Sequence, residues 1–236
     1  MVSVGIPRAL LYYQYYPMLQ TFFEELGAEV VVSVPTTQAM LTAGSARVVT
    51  ETCLPVKVFI GHVLSLVERC DYIFIPAVRS VASKVYNCAK FLGLPDLTRA
   101  VVPEASPILE IDIDVNLGRK RLYQAVDVLG RHFTRDKSAV RQAALAAQQA
   151  HQDYLGLMTG RGLMPPRAIE SISGIADTGP GAPHRPDQST IAVIGHPYLL
   201  YDEHINHRLI HRLEQTGSRV VTPEMLTGRE IETATD

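Results

Sequence analysis

Three observations in this 236-residue sequence predict an α/β fold with parallel sheets in two lobes. Short apolar runs alternate with stretches of helical periodicity, the pattern of strand–helix–strand units. Ala28–Val34 is a β-branched run closed by Pro35, which reads as a strand buried on both faces. The beginning of the chain is also repeated near its end. Gly5-Ile6-Pro7 followed by Leu10-Leu11-Tyr12 has a counterpart in Gly195-His196-Pro197 followed by Leu199-Leu200-Tyr201. Glu25-Leu26-Gly27 before Val30-Val31 matches Gln215-Thr216-Gly217 before Val220-Val221. A duplicated β-α-β unit follows, and ligands in such sheets lie beyond the carboxyl ends of the strands.

The elements follow in order. Val2–Ile6 is a strand that runs into Pro7 and an aromatic loop with Tyr12, Tyr13, Tyr15 and Tyr16. Met18, Leu19, Phe22, Phe23 and Leu26 recur at three- and four-residue spacing and predict a helix, with Gly27 at its left-handed end. After the strand at 28–34 come a short helix around Gln38–Ala43 and a weak strand near Arg47–Val49. The loop Glu51-Thr52-Cys53-Leu54-Pro55 leads into an amphipathic helix, Pro55–Val67, and then a strand, Asp71–Pro76. Glu110, Asp112 and Asp114 alternate with apolar residues and read as an exposed-face strand. Gly118–Leu129 and Ser138–Met158 are helical, the second being rich in Ala, Gln, Leu and Arg. Gly160–Ser189 is Pro-rich and reads as a linker or insert, after which a strand resumes at Ile191–Ile194.

The fold expected is therefore two Rossmann-like lobes with parallel sheets, connected by helices and a Pro/Gly-rich linker. Residues 1–116 form the first lobe, 117–159 the connecting helices, 160–189 the linker, and 190–236 the start of a second, truncated lobe.

Composition narrows the function classes. At 47% hydrophobic and 19% charged, the chain has ample core-forming material. A net charge of −2 gives no overall basic character, so neither nucleic acid nor an acidic membrane is an expected partner. No apolar run approaches the roughly eighteen residues of a spanning helix, and the start lacks a secretory signal, so the expected location is the cytoplasm. Three cysteines do not make a disulfide framework; they read as thiols or metal ligands. Walker, G-x-S-x-G and G-x-G-x-x-G motifs are absent, which disfavours an ATPase, an α/β hydrolase and a dinucleotide oxidoreductase.

The candidate chemistry lies with the cysteines. Cys53 comes just before Pro55, a residue suited to the first turn of a helix, and helix N-termini favour the thiolate that binds metals or attacks electrophiles. Cys88 lies in the loop Tyr86-Asn87-Cys88-Ala89-Lys90, after the strand that ends at Pro76, so the two thiols converge at one end of the sheet or are simply buried. Cys70, at a helix–strand junction, reads as a small buried residue. Zinc is disfavoured, since no ligand-spaced His pair lies near either Cys. His204, His207 and His211 read as a solvated helix face after Asp202, and His62 and His196 are weak signals taken singly.

Six blocks occur in order: Gly5-Ile6-Pro7-Arg8-Ala9-Leu10, Phe22–Gly27, Glu51-Thr52-Cys53-Leu54-Pro55-Val56-Lys57, Gly61-His62-Val63, Asp71–Pro76 and Cys88–Asp96. Together they resemble the DUF2229 family of acyl-CoA dehydratase activase-related proteins, relatives of the 2-hydroxyacyl-CoA dehydratase subunits. Gly195–Asp202 resembles a later block of the same family. The resemblance implies a [4Fe–4S] cluster with ligands at Cys53 and Cys88, its negative charge offset by Lys57 and Lys90. Cys70 matches no ligand block. The family's usual downstream cysteine is missing, and Cys88-Ala89-Lys90 stands where Cys-Pro-Lys is usual. The remaining ligands are then expected from a second copy in a homodimer, a partner subunit, Cys70 or small molecules. The implied function is an iron–sulfur redox protein handling low-potential electrons, served by an ATP-dependent activase and acting on an acyl-CoA. The alternatives are an electron carrier, a maturation factor or a cluster-free scaffold of the same system.

Overall fold

Val4 and Ile6 are buried, and the strand they anchor, β1 (Ser3–Ile6), lies inside a parallel sheet. The computed structural model describes residues 1–175 and 188–235. It divides into two units, Met1–Leu10 with Leu19–Ala147 and Leu11–Met18 with Gln148–Asp236.

In the first unit, β1 is followed by α1 (Tyr12–Glu25), whose later half belongs here, and by β2 (Glu29–Val32). Gly27 closes α1 with φ +78°, a conformation in which a Cβ would be strained. The chain continues through α2 (Gln38–Arg47), α3 (Leu54–Leu66), β3 (Tyr72–Phe74), β4 (Ala77–Ser80), α4 (Ala89–Leu92) and α5 (Leu94–Val101). After these come β5 (Ile108–Leu109), β6 (Asp112–Asp114), α6 (Arg119–Gly130) and the first part of α7 (Lys137–Arg161). The main sheet has the order β2-β1-β3-β5, all parallel. Past it, β3 and β5 run on into β4 and β6, which pair in parallel as a second short sheet. Phe23 packs its ring edge-on to Phe74, with centroids 5.2 Å apart, and lies 5.7 Å from Phe133. At the amino ends of the strands, the Asp71 carboxylate accepts both the main-chain N–H and the hydroxyl of Ser3, each at 2.8 Å.

Three readings need correction in this unit, and a fourth at the start of α1, which belongs to the second. β2 is the sheet edge, so Glu29 is exposed and Val30–Val32 are only half-buried. Arg47 ends α2 and pairs with Glu104 at the surface, so no strand forms at 47–49. Asp114 is buried and faces Arg79 at 3.4 Å, while Glu110 pairs with Arg99, so this acidic strand is not one exposed face. The aromatic segment is no loop, because Tyr12, Tyr13, Tyr15 and Tyr16 form the first turns of α1.

The second unit shows why that segment is helical despite Pro17. Proline has no N–H to give to the carbonyl four residues back. That carbonyl belongs to Tyr13, and the buried Tyr154 hydroxyl donates to it at 2.5 Å. A tertiary bond thus replaces a missing helical one. Tyr154→Phe is expected to cost about 1–3 kcal/mol by removing this buried donor. In a Pro17→Ala background, where residue 17 regains an N–H, the same change should cost less; chemical denaturation of the four proteins checks both expectations.

Beyond α7 the unit contains α8 (Pro165–Ile172), β7 (Thr190–Ala192), α9 (Pro197–Leu200), α10 (Leu209–Gln215), β8 (Arg219–Val221) and α11 (Gly228–Thr235). β7 and β8 pair in parallel across their helices, as β1 and β2 do, so both copies of the sequence repeat fold as β-α-β units. The expected linker at 160–189 contains α8, whose Pro165 and Pro166 occupy the first turn, where no N–H is needed. The rest of that reading, at 176–187, lies outside the described residues. His204 and His207 precede α10, and His207 has φ +54°, so no histidine face forms on a helix there. No helix among the described residues is long and apolar enough to cross a membrane.

Candidate functional site

Cys53 is the N-cap of α3 and Cys88 the N-cap of α4; both thiols are exposed, and neither side chain caps its own helix. The connectivity fixes which end of the sheet they occupy. α3 leads down to the start of β3, and α4 with α5 leads to β5, each strand being parallel to its neighbours. A helix that precedes a parallel strand begins at the carboxyl end of the sheet. Cys53 and Cys88 therefore head separate helices on that side. Cys70 lies at the other end, just before β3. Its half-buried sulfur donates to the Leu66 carbonyl at 3.5 Å and fills the space in front of Gly5, where a Cβ would stand 2.6 Å from it. Burial pushes the Cys70 thiol pKa up.

Two features hold α3, and with it Cys53, in place. α2 and α3 pack antiparallel at a separation only glycine permits: a Cβ on Gly44 would lie 2.0 Å from the Lys57 carbonyl oxygen, and one on Gly61 would lie 2.2 Å from that of Met40. Such backbone contact leaves no room for a methyl group. The second feature is His62, fully buried in α3. Its Nδ1 bonds the Ser33 hydroxyl at 2.8 Å and its Nε2 the Thr36 hydroxyl at 2.9 Å, just past the carboxyl end of β2. Ser33 also accepts the main-chain N–H of Arg8, at 2.8 Å, from the loop after β1. Burial, helped by the positive charge of Arg8, lowers the His62 pKa to about 4. A neutral ring donates through one nitrogen and accepts at the other, so it ties α3 to the ends of β1 and β2 without burying a charge.

Lys57, one turn into α3, donates to the Thr50 carbonyl at 2.8 Å and so braces the loop before Cys53. Lys90 is exposed two residues beyond Cys88. The Cys88 loop is held from both sides: Asn87 N–H donates to Arg79 O at 2.8 Å, and Lys84 N–H donates to the Asn116 side chain at 2.7 Å. Among the described residues, no group of three or more His, Cys, Asp or Glu is placed to hold a metal ion.

A family model described as the CoA enzyme activase uncharacterised domain, DUF2229, matches residues 3–226. The chain belongs to this family. A search of curated proteins gave no match. The DUF2229 match covers both β-α-β units as well as the two cysteine-headed helices. The His62 anchor and the Gly44–Gly61 contact were not recognised as parts of the site from sequence. The available signal was a glycine and a histidine side by side in an otherwise apolar helix.

Proposed function

We propose that this DUF2229 chain is an iron–sulfur component of a CoA-enzyme activation system, in which Cys53 and Cys88 supply two thiolates to a [4Fe–4S] cluster completed by another chain. The observation that carries the reading is a pair of exposed thiols, each heading a helix on the carboxyl side of one parallel sheet. Four irons need four terminal ligands. The chain fits half of that set, because its third cysteine sits at the opposite end of β3 with its sulfur packed on Gly5. Exposure suits ligands that must meet a second surface, whereas a cluster enclosed by one chain would draw its cysteines inward. When bound, such a cluster supplies one-electron chemistry at low potential. The chain's own residues do the positioning: His62 and the Gly44–Gly61 contact fix α3, Lys57 braces the loop that presents Cys53, and Lys57 and Lys90, four and two residues beyond their cysteines, would offset the cluster's negative charge.

Anaerobic reconstitution with ferrous iron and sulfide tests the ligand assignment. Cys53→Ser and Cys88→Ser are each expected to lose bound iron and visible absorption with no change in melting temperature, since both side chains are exposed. Cys70→Ser should retain the iron. Full iron in either of the first two variants overturns the assignment.

A further inference from the structure

The second unit contains a cavity of about 280 Å³ walled by the end of α7, the start of α8 and the start of β8. Three guanidinium side chains line it: Arg161, the last residue of α7; Arg167, in the first turn of α8; and Arg219, the first residue of β8. Among the described lining residues, Glu214 is the one acidic residue. Arg167 and Arg219 make no ion pair with any described residue, and the bond that β8 makes at Arg219 uses the main-chain N–H, to Ser189 O at 2.8 Å. Arg219 is half-buried. Ser218, whose hydroxyl also bonds that of Thr216 at 2.9 Å, lines the cavity beside these arginines. The apolar part of the lining comes from Leu163 and Val220, both buried, and from Met225.

We infer that this cavity binds a small phosphate monoester, with the phosphate on the arginines and Ser218 and an apolar body against Val220 and Met225. The two guanidinium groups of Arg167 and Arg219, which make no ion pair with a described residue, together present more donors than the two oxygens of a carboxylate readily accept. A phosphate offers three terminal oxygens and close to two negative charges, which matches this pair of cations. The apolar lining favours an ester over the bare ion, because inorganic phosphate would leave that surface facing water. The inference is independent of the cysteine site.

Isothermal titration of the full chain with inorganic phosphate and with phenyl phosphate tests it. Phenyl phosphate is expected to bind one per chain and more tightly than inorganic phosphate. Arg219→Ala and Arg167→Ala should each weaken it about tenfold or more, the usual size of a lost charged hydrogen bond. Arg212→Ala removes an exposed charge from α10 that does not line the cavity and should leave binding unchanged. Should Arg219→Ala fail to fold, Arg167→Ala, an exposed position, decides alone. No binding of either probe, equal affinity for the two, or an equal loss in Arg212→Ala overturns the inference.

Discussion

Gly61→Ala is expected to destabilise the first unit by about 3 kcal/mol or more, at the upper end of the cost of overpacking. The new Cβ would lie 2.2 Å from the Met40 carbonyl oxygen, and a backbone atom of α2 cannot swing aside as a side chain would. The two helices must part, which breaks the close backbone contact at Gly44 and Lys57 as well. Gly44→Ala should behave alike, since its Cβ would meet the Lys57 carbonyl oxygen at 2.0 Å. Gly156, in α7, is the control: nothing lies within 4 Å of its Cβ position, so Gly156→Ala should be neutral or stabilise by up to about 1 kcal/mol through helix propensity. Urea unfolding of the three variants checks this, and a Gly61→Ala midpoint equal to wild type would refute the close helix contact. Against a total stability of about 5–15 kcal/mol, the predicted loss is large enough to lower the yield of folded protein.

Acid is the second large lever. His62 has a native pKa of about 4, below the ordinary value of 6.5 that it regains on unfolding. Between these values the unfolded chain binds a proton that the native chain does not. Stability conferred by the neutral ring is therefore complete above about pH 6.5 and falls as pH drops towards 4. A shift of this size corresponds to about 3 kcal/mol. His62→Gln keeps an amide donor and acceptor but cannot titrate. It should be less stable than wild type at pH 7, and its stability should fall less steeply between pH 6.5 and 4. Parallel slopes for the two proteins would show that His62 is not the linked group.

The alternation of β-branched runs with helical periods made the parallel β-α-β units legible, because strand and helix periods are local properties of the chain. Pro55 likewise marked Cys53 as the head of a helix. What stayed hidden depended on partners far away in sequence. Pro17 normally punctuates a helix, and α1 passes through it because a hydroxyl 141 residues distant takes the Tyr13 carbonyl. The run at Val30–Val32 looked doubly buried, but its place at the sheet edge follows from strand order, which hydrophobicity does not encode. Arg47 stays helical where Glu104 meets it, 57 residues on. His62 finds Ser33 and Thr36 only once α3 lies against the end of β2, so the strongest anchor of the candidate site read as a lone histidine. The placing of Cys53 and Cys88 at one end of the sheet, with Cys70 at a helix–strand junction, followed from the predicted order of elements, but the exposure of both thiols did not, because it depends on what packs around them.

The central claim is that one chain supplies two of the four thiolates a [4Fe–4S] cluster needs. Native mass spectrometry under strictly anaerobic conditions, after reconstitution with iron and sulfide, tests it most directly because it reads chain number and metal content on the same ion. Any four-iron, four-sulfide species is expected to contain more than one chain, and Cys53→Ser to abolish it. A single chain holding a complete cluster, or no cluster in any species with or without a partner, would contradict it.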